Sequence, residues 1–265
     1  MNHLVIRREK ITGKNLSANV LRPKNLLRGG YHCNMSVEVK TRVLVIAAHP
    51  DDEILGAYSF LSNKKYVSKS LIVCEGSSAR YASKSNSQEL SKDIALREMA
   101  STKVAKILEN KEPSFLNFPN IKLSNSDSLE VQNLIAGELK QYCPEIVITH
   151  SAYCNNRDHV EVNKMVGNVI RGNVYKKIHT LLSMEIPSST EQNFYGGFLP
   201  NYYVSISEKQ MNQKIDLLRN FGTELQIDPA PRSEFGIKSL ANYRGTAINE
   251  NFAEAFSVLR MIERN

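Results

Sequence analysis

Residues 42–53 of the chain read RVLVIAAHPDDE, and they predict more of its architecture than any other segment. From Val43 to Ala48 every residue is apolar, which is typical of a strand buried on both faces within a parallel sheet. An imidazole, His49, and three consecutive acids follow directly. In open α/β sheets, ligands bind in the crevice at the carboxyl ends of the strands. We therefore expect a first core strand with a polar site at its end.

Two later runs have the same apolar character. Ser70–Cys74 follows a segment of helical length, and Glu145–His150 follows Leu129–Tyr142, whose apolar residues recur at helical spacing. Strands that alternate with helices imply crossover connections and a parallel sheet. The predicted fold class is α/β, a Rossmann-like three-layer sandwich with a mainly parallel central sheet.

The remaining elements are predicted from periodicity and chain breakers. Glu89–Leu108 predicts a helix whose apolar stripe reads as plain core: Leu90, Ile94, Met99, Val104 and Leu108. Gly76–Ser87 is small and polar, typical of a mobile surface loop. The region from about residue 177 is expected to cap the first sheet, with two strands and then two helices: Lys177–Ile186, Tyr202–Ile206, Lys209–Phe221 and Asn251–Ile262. Pro229 and Pro231 separate the two helices.

The basic charge of the chain is concentrated at its N-terminus. Residues 1–34 contain seven basic residues and one acidic residue, and so carry +6 of the total formal charge of +7. Because the rest is nearly neutral, nucleic-acid binding is not predicted. We expect a basic, disordered leader over residues 1–40 and one folded domain over residues 41–265.

The sequence also limits the location and redox chemistry of the protein. No run reaches the roughly 20 apolar residues of a spanning helix, and the N-terminus lacks the apolar core of a secretory signal. A cytoplasmic protein with no membrane partner is therefore expected. The cysteines form no CxxC pair, which argues against a disulfide framework or a cysteine zinc knuckle: Cys33, Cys74, Cys143 and Cys154.

Two polar clusters are expected to meet at one edge of the sheet. His49 and Asp52 are three residues apart and can converge on one ion, but the acids could equally serve only to stabilise a helix N-terminus. The cluster NNRDH, residues 155–159, favours the first interpretation because it follows Glu145–His150. His49, Asp52 and His159 then form a ligand set suited to catalytic zinc, and Asp51 is left to act as the general base.

These motifs resemble those of the PIG-L and LmbE-like zinc-dependent deacetylases, whose hallmarks are AHPDDE after the first strand and a later HxDH. The likeness extends over roughly residues 41–260 through the segments MEIPSST, FLPNYYVSIS, PRS and AEAF. It implies that His49, Asp52 and His159 are the metal ligands and that Asp51 is the base. It also implies that Asp158 holds and polarises the neighbouring His159, while Asp158 could in addition cap the following helix.

The sequence departs from the family pattern in two places. Asn156 stands where a histidine commonly opens HxDH, and an amide can donate a hydrogen bond to an oxyanion but cannot transfer a proton. Either Asp51 returns its proton to the leaving amine, or His150 supplies one. In addition, FLNFPN, residues 115–120, stands where relatives usually contain an aspartate.

Arg80, Arg97 and His150 are candidate substrate contacts, although His150 could simply end its strand. Arg97 loosely matches a family arginine near the pocket, although an exposed helix face would explain it equally well. Arg80 could contact a phosphate of a nucleotide-linked sugar, although a solvated loop residue explains it better.

The resemblance implies a hydrolase that removes acetyl from an N-acetylated amino sugar, a nucleotide sugar or a glycoside conjugate, with Zn²⁺ or another divalent metal. Hydrolysis of another sugar-linked amide, or a carbohydrate-binding homologue impaired through Asn156, stays open, as does homo-oligomerisation. A nicotinamide dehydrogenase is not predicted, because no GxGxxG follows the first strand.

Overall fold

The computed structural model describes residues 40–81, 87–123, 128–171 and 174–264. The predicted leader, apart from Lys40, lies outside these residues, and so does the end of the predicted loop 76–87. The domain boundary between leader and folded body therefore stays a prediction.

Within the described residues, seven strands form one mixed sheet: β1 (Thr41–Ala47), β2 (Tyr66–Cys74), β3 (Ser114–Phe118), β4 (Ile146–His150), β5 (Thr180–Met184), β6 (Tyr202–Ser205) and β7 (Ala253–Met261). The same residues form six α-helices: α1 (Asp52–Leu61), α2 (Ser87–Ile107), α3 (Ser128–Tyr142), α4 (Arg157–Ile170), α5 (Glu208–Leu218) and α6 (Glu234–Thr246). The strand order is β3-β2-β1-β4-β5-β7-β6. β1 to β5 pair in parallel, whereas β7 is antiparallel to both β5 and β6.

The side chains of β1 divide between two hydrophobic clusters. Val43, Val45 and Ala47 pack with α1, α2, α5 and α6 on one face of the sheet. Leu44 and Ile46 pack with α3 and α4 on the other face. Because side chains alternate along a strand, both faces of β1 are buried. The predicted three-layer α/β class with a mainly parallel sheet is confirmed.

β1 and β4 are neighbours, and the strand order reverses between them. Val43 pairs with Ile146 in parallel register, although β2 and β3 both intervene in the chain. The carboxyl ends of β1 and β4 therefore open at the same edge of the sheet, at the position where doubly wound folds bind ligands. This brings the segments after Ala47 and after His150 together.

The predicted helix at Asn251–Ile262 is wrong, because Ala253–Met261 is strand β7. Ala, Glu, Leu, Arg and Met are good helix formers, but pairing with β5 on one side and β6 on the other outweighs that propensity. The second half of the chain thus extends the sheet through β6 and β7, while α5 and α6 cover one of its faces as expected. β3 and α6 were not predicted.

Helix α2 also differs from its predicted stripe. Met99 is 66% exposed, whereas Arg97 is only 5% exposed and Ser101 is buried. At Arg97 and Ser101 the helix therefore presents polar side chains to the interior, so its inner face is not purely hydrophobic. Among the described residues, no helix combines the length and apolar character needed to cross a bilayer.

Candidate metal centre

Three predicted ligands converge at the edge where β1 and β4 end. His49 follows β1, Asp52 begins α1, and His159 lies in the first turn of α4. Asp52 Oδ2 lies 3.3 Å from His49 Nδ1 and 3.2 Å from His159 Nε2. The centroids of the two imidazole rings are 5.4 Å apart. One ligand atom from each residue lies within 4.8 Å of the others.

The donor set fits a divalent cation. Nε2 of His159 is buried and has no hydrogen-bond partner, so its lone pair is available to an ion. Burial alone would lower the pKa of both histidines. Hydrogen bonds to Asp158 and Asp52 instead raise the pKa of His49 to about 9, and Asp52 raises that of His159 to about 10. The site thus stabilises positive charge beside Asp52, and a divalent ion would supply that charge on displacing the ring protons from the ligand nitrogens.

The outer partners of the two histidines differ. Asp158 Oδ2 lies 2.9 Å from His49 Nε2 and also accepts from the backbone N–H of Ile121. Asp158 therefore holds His49, not the adjacent His159 as expected. Nor does it cap α4, since the N-cap is Asn156, whose side chain accepts from the backbone N–H of Asp158 at 2.9 Å.

Asp51 lines the same cavity but does not belong to the group of three candidate ligands. It stands at the N-cap position of α1 with φ 117°, and its side chain makes no capping hydrogen bond, which argues against a mere helix cap. A positive φ is strained for a non-glycine residue. Its backbone N–H donates to Glu53 Oε2 at 2.9 Å, and Ser101 Oγ donates to Glu53 Oε1 at 2.7 Å.

Positive side chains surround the Asp51 carboxylate. Arg232 lies 3.3 Å from Oδ2 and Arg97 lies 3.8 Å from Oδ1. Burial raises the pKa of Asp51 to about 7, although both arginines lower it. A carboxyl group poised near neutrality can both accept and return a proton.

The opposite wall of the cavity carries what we call the arginine cluster, Arg80, Arg97 and Arg232. All three pair with the buried carboxylate of Glu224. Burial would raise the pKa of Glu224, but the arginines, with Arg97 the strongest, lower it. Glu224 and Arg232 were not predicted as site residues. The only sequence signal was the family-like segment PRS, which contains Arg232.

Arg80 and Arg97 both line the cavity. Arg97 donates to the Pro50 carbonyl oxygen at 2.7 Å and is buried, so the explanation by an exposed helix face is wrong. The side chain of Arg80 is 45% exposed on a 3-10 turn, Ser78–Tyr81, and is also anchored by Glu224.

His150 does not reach the cavity. It is fully buried, its Nε2 accepts from the backbone N–H of Ala48 at 2.7 Å, and its ring stacks on His159 at 3.9 Å between centroids. Burial holds its pKa well below the ordinary value. The buried ring supports His159 from behind, which disfavours the proton-donor role that the sequence left open for His150, and its contact with substrate stays a prediction.

Two asparagines complete the cavity wall. Asn156 lines it beside His159 while its side-chain oxygen caps α4. Asn120, the last residue of the FLNFPN segment, also lines it, and its Oδ1 lies 3.0 Å from His49 Nε2. The segment that departs from the family pattern thus contributes an amide oxygen to the surroundings of a predicted ligand.

One family model matches part of the chain. Residues 44–170 match the family model described as PIG-L, GlcNAc-PI de-N-acetylase. No curated protein matches the chain.

Several solved structures share the fold. N,N'-diacetylchitobiose deacetylase from Pyrococcus horikoshii is 17% identical, with a TM-score of 0.66 over 84% of this chain and 85% of the deacetylase. The 4-carboxy-2-hydroxymuconate hydratase from Pseudomonas putida KT2440 is 16% identical, with a TM-score of 0.66 over 85% of this chain and 99% of the hydratase. The A40926 pseudoaglycone deacetylase is 15% identical, with a TM-score of 0.66 over 85% of this chain and all of the deacetylase, 100%. At these identities the likeness shows the fold alone.

Proposed function

We propose, on the premise that residues 44–170 of this chain belong to the PIG-L family, that the protein is a metal-dependent hydrolase. It removes the acetyl group of an N-acetylated amino sugar or of a conjugate of one, and releases acetate and a free amine. The observation that carries the proposal is the convergence of His49, Asp52 and His159 beside a separate carboxylate, Asp51, in one cavity.

His49, Asp52 and His159 would hold the metal, with Zn²⁺ as the proposed ion. When bound there, a divalent ion supplies Lewis-acid polarisation of the acetyl carbonyl and lowers the pKa of water. Asp51 takes one proton from the attacking water, and the C–N bond of the amide then breaks. Asn156 lines the same cavity, and its amide N–H would donate to the oxyanion.

The leaving amine needs a proton, and Asp51 is the group proposed to return it. Its pKa, raised to about 7 by burial, suits a carboxyl that is first base and then acid. The alternative donor, His150, has its Nε2 occupied by the Ala48 N–H and lies outside the cavity. These contacts favour the Asp51 route of the two that the sequence left open.

The arginine cluster bears on the rest of the substrate. Arg80 and Arg232 are partly exposed at the cavity wall, and guanidinium groups bind phosphate or carboxylate oxygens through paired hydrogen bonds. We propose a small-molecule substrate in which the acetamido sugar is linked to an anionic group, and a cytoplasmic location. No nucleic acid or membrane is proposed as a partner.

A second candidate function is also favoured by the arginine cluster. Addition of water to an unsaturated carboxylic acid would use the same base, and one structural neighbour bears the name 4-carboxy-2-hydroxymuconate hydratase. An anionic acid would meet Arg80 and Arg232 directly, without a sugar. The family segment at residues 44–170 makes the deacetylase the stronger proposal.

The test is a product assay on the purified protein. Acetate and free amine are measured with N-acetylglucosamine, an N-acetyl disaccharide and a nucleotide-linked N-acetyl sugar, with and without a chelator. We expect equal amounts of acetate and amine, loss of both with chelator, and recovery on adding metal. Saccharide binding without acetate would identify a binding homologue. Loss of absorbance of an unsaturated acid without acetate would identify a hydratase.

A further inference from the structure

A thiol lies against one of the proposed metal ligands. Cys154 Sγ is 3.2 Å from His159 Nδ1, and both residues are buried. Cys154 belongs to the loop between β4 and α4, and the backbone N–H of its neighbour Asn155 donates to the Ser189 carbonyl at 3.0 Å. The loop that positions the sulfur is therefore anchored to Ser189, which also lines the cavity.

The other ring nitrogen of His159 faces the metal centre. Nε2 is buried, lies 3.2 Å from Asp52 Oδ2 and has no hydrogen-bond partner. A neutral imidazole carries its hydrogen on one nitrogen and a lone pair on the other, and only the lone pair binds a metal. Metal binding through Nε2 therefore requires the hydrogen to sit on Nδ1, where the sulfur lies.

We propose that Cys154 is a positioning residue for the metal, a role that rests on the metal site proposed above. Its sulfur accepts the Nδ1 hydrogen of His159 and so keeps the Nε2 lone pair directed at the ion. Stacking on His150, at 3.9 Å between centroids and 19° between planes, fixes the plane of the ring. Stacking does not determine which ring nitrogen faces the ion, because a ring turned over by 180° would stack equally well. The contact between Nδ1 and the sulfur does determine it.

The two histidine ligands are therefore oriented by different chemistry. His49 Nε2 meets oxygen atoms of Asp158 and Asn120 at 2.9 and 3.0 Å, whereas His159 Nδ1 meets sulfur. A thiol is a weaker acceptor than a carboxylate. Outer partners of metal-bound histidines typically change metal affinity by about 10–100-fold when they are removed.

The experiment measures the zinc dissociation constant of the full chain by competition with a chromogenic chelator. Cys154→Ala removes the acceptor, Cys154→Val fills the volume without an acceptor, and Cys154→Ser restores one. We expect the Ala and Val variants to bind zinc about 10–100-fold more weakly and the Ser variant to recover most of the affinity. Cys143→Ala is the matched control, since its thiol donates to the Lys140 carbonyl on the surface, and its affinity should equal that of the wild type.

Melting temperatures of the metal-free variants separate positioning from packing. Equal melting temperatures with weaker zinc binding in Ala and Val support the proposal. Wild-type zinc affinity in both variants overturns it, and so does a Ser variant as weak as Ala. The Ser variant decides the case in which Ala and Val both fail to fold. If Ser folds but does not bind zinc, Cys154 is a packing residue and the proposal fails. If Ser folds and binds zinc with near wild-type affinity, the proposal is supported. A wild-type chain that binds no zinc would instead contradict the proposed function.

Discussion

The metal end and the arginine end of the cavity are built in different ways. His49 follows β1, and Asp52 and His159 lie in the first turns of α1 and α4, the helices that come after β1 and β4, all inside residues 44–170. The arginine end depends on Glu224 and Arg232, which lie beyond that segment. The difference teaches that the residues proposed for chemistry all lie within residues 44–170, whereas the arginine end combines Arg80 and Arg97 from that segment with Glu224 and Arg232 from the rest of the chain.

Asp51 joins the two ends. It is next to Asp52 in sequence, yet its carboxylate contacts Arg97 and Arg232. If the division between the ends is correct, substitutions at Asp51 should lower kcat and those at Glu224 should lower the free energy of unfolding. Substitutions at Arg232 should shift the pKa of Asp51.

The largest effect is expected from Asp51→Asn. It removes the proposed base but no ligand, so kcat should fall by about 10²–10⁴-fold, while metal content stays unchanged. Asn is also tolerated at positive φ, so the turn should survive. Turnover is measured by acetate release and metal content by atomic absorption.

The matched comparison is Asp52→Asn, the same chemical change one residue later. This variant should lose metal as well as activity, because it removes a ligand carboxylate. If Asp51→Asn also loses metal, or keeps wild-type activity, the division of roles between the two acids is wrong.

The second effect is on stability, through Glu224→Gln. Glu224 is buried with three arginines around it, and Arg97 is buried too. Removing one partner from a buried ion pair leaves an uncompensated charge, so the free energy of unfolding should fall by about 3 kcal/mol. Urea denaturation of the metal-free protein measures it.

Glu234→Gln is the control for that measurement. Its carboxylate pairs with Arg219 and Lys238 at the surface, so the cost should be under about 1 kcal/mol. Equal costs for the two variants would show that Glu224 does not hold the arginine end together.

The smallest effect is a shift in the pH profile of Arg232→Gln. Arg232 lowers the pKa of Asp51, so its removal should raise that pKa. Because Asp51 acts as a base only when ionised, the acid limb of kcat/KM should move to higher pH, by about one unit.

Arg80→Gln serves as the comparison for this profile, since Arg80 pairs with Glu224 rather than with Asp51. Its acid limb should stay in place even if KM changes. If the acid limb of kcat/KM does not move in Arg232→Gln, the group that titrates in that limb is not Asp51.

The metal end was predictable from the sequence because each cluster directly follows a buried strand. Parallel strands direct such segments to the same edge, so AHPDDE and NNRDH identify the site without knowledge of the packing. Whether these residues act as ligands and base stays a prediction until metal and activity are measured.

The arginine end was not predictable, for physical reasons that particular residues show. On α2 the apolar Leu96 is 53% exposed while Arg97 is buried, which reverses the usual amphipathic pattern. Glu224 stands in no recognisable motif and reads as a solvated acid until Arg97, far away in the chain, is placed beside it. β7 was missed for a similar reason, since its partners β5 and β6 are distant in sequence.

Helix α2 carries one further consequence. Arg97 and Ser101 are one helical turn apart, and both contact the strained turn at Asp51. Arg97 donates to the Pro50 carbonyl oxygen. Ser101 donates to the Glu53 carboxylate, which also accepts from the backbone N–H of Asp51. A rigid-body shift of α2 would thus displace the base and its counter-ion in concert. The position of the proposed base is thus linked to a helix whose outer residues, such as Leu96 and Met99, are exposed to solvent.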